Sequence, residues 1–99
     1  MKYKNMAKEM TDEEVQIALW TFVLDAIITK IERNVEMNEI YVTFYLDGAA
    51  NEKEYTVTFW PHTVKDIPKE LETRGIFEDY EKFMVAKGYH TLWLGNVFV

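Results

Sequence analysis

The chain has 99 residues, 48% of them hydrophobic, with 17 acidic and 11 basic side chains and a formal net charge of −6. That length fits one domain, the apolar share argues against disorder, and the acidic balance repels nucleic acid and anionic membrane. There is no cysteine and no serine, which excludes disulfides, thiolate nucleophiles, Cys-ligated zinc, the Ser-His-Asp triad and the Gly-x-Ser-x-Gly elbow.

In chain order, residues 1–10 are mixed and lysine-rich and read as a loose N-terminal arm. Lys2, Lys4 and Lys8 precede an apolar stretch, as in a secretory leader. However, Glu9, Asp12, Glu13 and Glu14 intervene, Asp25 interrupts the apolar run, and no small-residue cleavage site follows. The run Val15–Ile28 is shorter than the ~20 apolar residues that span a bilayer. A cytoplasmic protein without a membrane partner is expected.

Thr11-Asp12-Glu13-Glu14 starts a helix: Thr11 can cap, Glu14 holds the capping-box position, and the acidic first turn suits the dipole. The pattern extends this helix from about Asp12 to Arg33. Its polar stripe would be narrow (Thr21, Asp25, Thr29 and Glu32), so it would be buried on two sides.

Glu39–Leu46 alternates Ile40, Val42, Phe44 and Leu46 against Tyr41, Thr43 and Tyr45. Glu54–Trp60 alternates Tyr55, Val57 and Phe59 against Thr56, Thr58 and Trp60. Both are strands, joined as a hairpin by the loop that Asp47-Gly48 opens. Pro61 ends the second strand. A short helix, roughly Ile67–Arg74, follows, with Asp66 as cap, Pro68 in the first turn and Gly75 closing it. Phe77–Lys87 is a further helix stopped by Gly88, and His90–Leu94 a strand. Gly95-Asn96 is a turn or bulge before Val97-Phe98-Val99, an apolar tail expected inside the sheet. The fold class is α+β in two layers, order α-β-β-α-α-β. An antiparallel sheet of three to four strands is packed by a long N-terminal helix and one or two shorter ones.

His62 and His90 are the only histidines. Without His-x-x-x-His or His-x-His spacing they read as one exposed and one partly buried side chain rather than metal ligands. Asp25, within an apolar helix, is either a buried acid–base group or part of the helix's wet edge. The isolated glycines carry no phosphate-binding motif. The carboxylates Glu13/Glu14, Glu70/Glu72 and Glu78/Asp79/Glu81 fit solvated helix faces better than a glycosidase pair. Tyr41, Tyr45, Trp60 and Trp93 could form a stacking platform, but the neighbouring charges are Glu39, Asp47, Glu52 and Glu54. A helix-turn-helix around Gly75 fails likewise, because Glu78, Asp79 and Glu81 occupy its second helix. Direct nucleic-acid binding is not expected.

These features point to a small acidic protein-binding module, with no enzymatic activity, cofactor or metal. Acidic inhibitors of the phage and mobile-element type act in this way on host enzymes that grip nucleic acid. Their carboxylates occupy a basic channel built for phosphates. The expected contact residues are Tyr41, Tyr45, Trp60, Glu70, Glu72, Glu78, Asp79 and Glu81. One alternative is a self-associating structural or accessory subunit, a homodimer through the first helix or the strand ending at Val99. The other is a small ligand-binding domain or enzyme using Asp25, His62 or His90 in a pocket between helix and sheet.

Overall fold

Four strands pair antiparallel in chain order in the computed structural model, which describes residues 4–48, 53–71 and 77–90. The strands are β1 (Ala26–Asn34), β2 (Glu39–Leu46), β3 (Glu54–Trp60) and β4 (Thr63–Lys65). Helices α1 (Met6–Glu9), α2 (Asp12–Trp20) and α3 (Phe77–Ala86) and a 3-10 turn at Lys69–Leu71 complete the described elements. The α+β class with an antiparallel sheet therefore holds, and the β2–β3 hairpin and α3 follow the sequence pattern.

The long first helix does not. It begins as its capping box dictates: Glu14 N–H donates to Thr11 Oγ1, and Thr11 N–H to Glu14 Oε1, both at 3.1 Å. It ends at Trp20, and the second half of the expected helix is β1. The misreading has a physical cause. Ile28 pairs with Phe44 but Lys30 pairs with Thr43, so Thr29 is an extra, bulged residue. The bulge makes Ile28 and Ile31 point to the same side at a spacing of three, which imitates a helical period. The β-branched run Ile27-Ile28-Thr29 favours the strand. The intervening turn is tied by the Trp20 indole N–H, which donates to the Ala26 carbonyl at 3.0 Å.

Residues 4–10, expected as a loose arm, are packed. Met6, Ala7 and Met10 are buried, because the spacing of Met6 and Met10 puts both on one side of a short helix. Asn38, with φ 55°, accepts the Ala7 N–H at 3.0 Å through its side chain, docking α1 on the β1–β2 turn. Arg33 Nη1 donates to the carbonyls of Ala7 (3.0 Å) and Met10 (2.6 Å), which α1 cannot satisfy itself. Its Nη2 meets Asp12 at 2.6 Å.

Pro61 ends β3 as expected, but the sheet continues beyond it. Trp60 pairs with Thr63, so Pro61-His62 is a two-residue turn into β4. Proline's fixed φ suits the turn as well as it suits a strand end. Asp66 adopts φ 61° and caps no helix. The expected helix Ile67–Arg74 is described only as the 3-10 turn Lys69–Leu71, and residues 72–74 and Gly75 lie outside the described residues. The expected strand His90–Leu94 beyond His90, and the tail at 97–99, also lie outside them.

The helices cover one face of the sheet. Phe22, Phe59 and Tyr80 meet there, with the Tyr80 ring edge-on to Phe59 (5.3 Å) and Phe22 (6.1 Å). Tyr80 is fully buried, and burial pushes its hydroxyl pKa well up, so it stays a neutral donor; its O–H donates to the Trp60 carbonyl.

Candidate functional site

The strand alternation that buries Ile40, Val42, Phe44, Val57 and Phe59 turns their neighbours to the opposite face, which no described helix covers. Cross-strand pairing builds that face. Tyr45 lies between Ile27 and Glu54, and Tyr41 between Glu32 and Thr58. At its centre the Thr43 and Thr56 hydroxyls are 3.1 Å apart. Thr58 donates to the Asp66 carboxylate at 2.9 Å. Among the described residues, the strand positions and contacts give this face four carboxylates (Glu32, Glu39, Glu54 and Asp66) against two ammonium groups (Lys30 and Lys65).

At one end the face runs into a cleft. Glu39 opens β2 and Trp60 closes β3, and the hairpin register brings them together. The Trp60 indole N–H donates to Glu39 Oε2 at 2.7 Å, and the Tyr41 hydroxyl donates to Oε1. That bond to the carboxylate, more than burial, raises the Tyr41 hydroxyl pKa. Lys65 holds its ammonium 3.6 Å from the Trp60 ring centre, a cation–π contact. Met37, Asn38 and Glu39 form one wall of a cavity of about 390 Å³. Trp60, Pro61, His62 and His90 complete the lining. His90 is buried and shares a hydrogen bond of 3.1 Å between Nε2 and Glu81. The His62 ring lies 5.8 Å from the rings of both His90 and Trp60. Burial first, and then repulsion from His90, lowers the His62 pKa.

Among the described residues no group of three or more His, Cys, Asp or Glu side chains is placed to hold a metal ion. No described helix is long and apolar enough to cross a membrane. The arrangement offers a flat indole, apolar flanks, and a carboxylate held by neutral donors.

Of the expected contact residues, Tyr41, Tyr45 and Trp60 share the open face. The carboxylates do not join them. Glu70 sits on the 3-10 turn and is paired with Lys53, and Glu72 lies outside the described residues. Glu78 and Asp79 are exposed on α3, in the helical layer, with Glu78 3.8 Å from Lys82. Glu81 turns to His90. Asp25 is in the exposed turn between α2 and β1, where its carbonyl accepts the Asp47 N–H at 2.6 Å, so it shares no pocket with the histidines. The sequence reading missed Glu39 and Lys65 as site residues. Glu39 was within reach of it, since a residue two before Tyr41 in a strand shares its face.

No protein-family model, curated protein or solved structure matches the chain, so the functional argument rests on the geometry of the site itself.

Proposed function

We propose that the chain is a non-enzymatic docking module that binds a basic protein surface, of the kind nucleic-acid-binding enzymes present, through the sheet face that no described helix covers. The observation that carries this reading is the pairing of half-buried aromatics, Tyr41, Tyr45 and Trp60, on a face that no described helix covers, with carboxylates that outnumber the ammonium groups there among the described residues. Tyrosine and tryptophan give large contact area at low entropic cost, and the acidic rim steers a basic partner. The net charge of −6 acts in the same direction at longer range.

The test is capture of partners from bacterial lysate across a salt series, with wild type beside the double variant Tyr41→Thr, Tyr45→Thr. The expected partner is retained at low salt, released at high salt, displaced by added duplex DNA and absent from the variant's capture. The reading falls if the variant captures the same proteins with the same salt response.

A second reading, self-association, is favoured by a different observation. Ile17, Trp20 and Leu24 are exposed along α2 and the turn after it, with Leu24 78% exposed, and Ile27 continues the patch onto β1. A dimer through this patch leaves most of the open face free. Light scattering that reports a monomer up to millimolar concentration removes it.

A further inference from the structure

We propose that the cleft at the β3–β4 turn is the anchor point of the docking face and receives an arginine side chain of the partner. Its guanidinium lies on Glu39, and its stem runs along Trp60, Met37 and Pro61. This rests on the docking reading above and adds the chemistry of the residue recognised.

Among the described residues, Asp12, Glu14, Glu32, Glu70 and Glu78 each have a Lys or Arg nitrogen within 4 Å. Glu39 has none: its contacts are the Tyr41 hydroxyl and the Trp60 indole N–H, both neutral. Two donors leave about half of the roughly four lone-pair sites of a carboxylate open. The charge is thus fixed in position at the cavity wall, with no described Lys, Arg or His nitrogen within 4 Å of it.

The walls select among cations. Met37, Trp60 and Pro61 offer apolar and aromatic surface, which suits a long stem with a weakly hydrated, planar head. Guanidinium meets that description better than ammonium, because it stacks on aromatic faces and forms parallel N–H···O pairs with a carboxylate. The cavity, about 390 Å³, is at the small end of the ~300–1,000 Å³ that ligand sites span, enough for one side chain. The histidines do not make it an anion site. Burial and His90 disfavour a charge on His62, and His90 faces Glu81.

The experiment uses the full chain labelled with ¹⁵N and follows the Trp60 indole N–H. The probes are three blocked tripeptides, acetyl-Gly-Arg-Gly-amide and its lysine and citrulline counterparts. The arginine peptide is expected to shift the resonance with a Kd on the order of a few millimolar, as befits a single side chain. The lysine peptide should bind several-fold more weakly, and citrulline, which has the same shape without charge, should give no saturable shift. Glu39→Gln keeps an acceptor for the indole and should weaken the arginine peptide at least about tenfold. Equal shifts from arginine and citrulline overturn the proposal, as does unchanged binding by a folded Glu39→Gln protein or no shift with any probe. Failure here is separable from failure of the docking reading. A partner that Glu39→Gln still captures from lysate, and the Tyr41/Tyr45 variant loses, removes the anchor and leaves the face.

Discussion

Arg33 should be worth far more to stability than its ion pair suggests. It projects from β1 onto the helical layer, and its side chain is 27% exposed, whereas its carboxylate partner Asp12 is 79% exposed. A pair so open to water contributes at most about 1 kcal/mol. The two carbonyls are different. Those of Ala7 and Met10 belong to buried residues at the end of a helix too short to satisfy them. Hydrogen bonds from a charged donor contribute about 1.5–3 kcal/mol each, and discounting for the partial exposure of Arg33 leaves about 3 kcal/mol for the two. Arg33→Met, which keeps the stem and removes the donors, should therefore lower the melting temperature by roughly 15 °C in a domain of this size. Urea denaturation should show the midpoint falling with little change in slope, since the folded state keeps its area. Asp12→Asn should cost under about 1 kcal/mol. If the two variants cost the same, the ion pair carries the effect and the capping argument is wrong.

Other consequences are open to measurement. Tyr80→Phe leaves the Trp60 carbonyl without its buried donor and should cost about 1–2 kcal/mol in chemical denaturation; an unchanged midpoint would mean that water reaches the carbonyl. The acid limb of stability should have two components. The His62 pKa is below its ordinary 6.5, so its contribution is complete above that value and is lost as pH falls through the folded pKa. His62→Gln should remove this first decline. Burial raises Glu14, but the Tyr89 hydroxyl, the Thr11 N–H and Lys87 outweigh it and hold the pKa below 4.5. Its contribution is present above 4.5 and is lost as pH falls through the lowered value, and Glu14→Gln should flatten that lower part of the curve. A pH profile unaffected by either change would show that other groups govern acid unfolding.

Some of this was legible in the residues and some was not. The β2–β3 hairpin was, because Ile40 to Leu46 and Tyr55 to Phe59 alternate without interruption and one face must be buried. The same alternation placed Tyr41, Tyr45 and Trp60 together, which is the half of the site that a two-residue period can reveal. β4 was hidden, since three residues carry no period and Pro61 fits a strand end and a turn equally well. The cleft was hidden for a deeper reason. It joins residues 37–39, 60–62 and 90, and their meeting depends on the hairpin register and on α3 being held against β3 by the Tyr80–Trp60 bond. No local pattern encodes such a meeting. Glu81 reads as a solvated carboxylate because nothing in its neighbourhood announces that His90 folds back beside it.

β1 was hidden by one residue, and that can be tested directly. Beyond the bulge the pairing resumes with Lys30 opposite Thr43 and Ile31 opposite Val42. Deleting Thr29 therefore leaves a strand in which Ala26, Ile28, Ile31 and Arg33 alternate inward with no interruption. What is lost is small: Thr29 reaches the Thr43 carbonyl at 3.3 Å and Glu54 at 3.5 Å, both exposed. The deletion should keep the fold and change stability by no more than about 1 kcal/mol. Deleting Glu32 is the control. It also removes one exposed residue, but it turns Arg33 to the open face and takes its guanidinium away from α1, with a loss of about 3 kcal/mol by the reasoning above. Thermal melts of the two deletions should thus differ by roughly 10 °C or more. Equal melting would mean that Thr29 is part of the inward register rather than an insertion into it. The explanation offered here for the helix-like spacing of β1 would then fail.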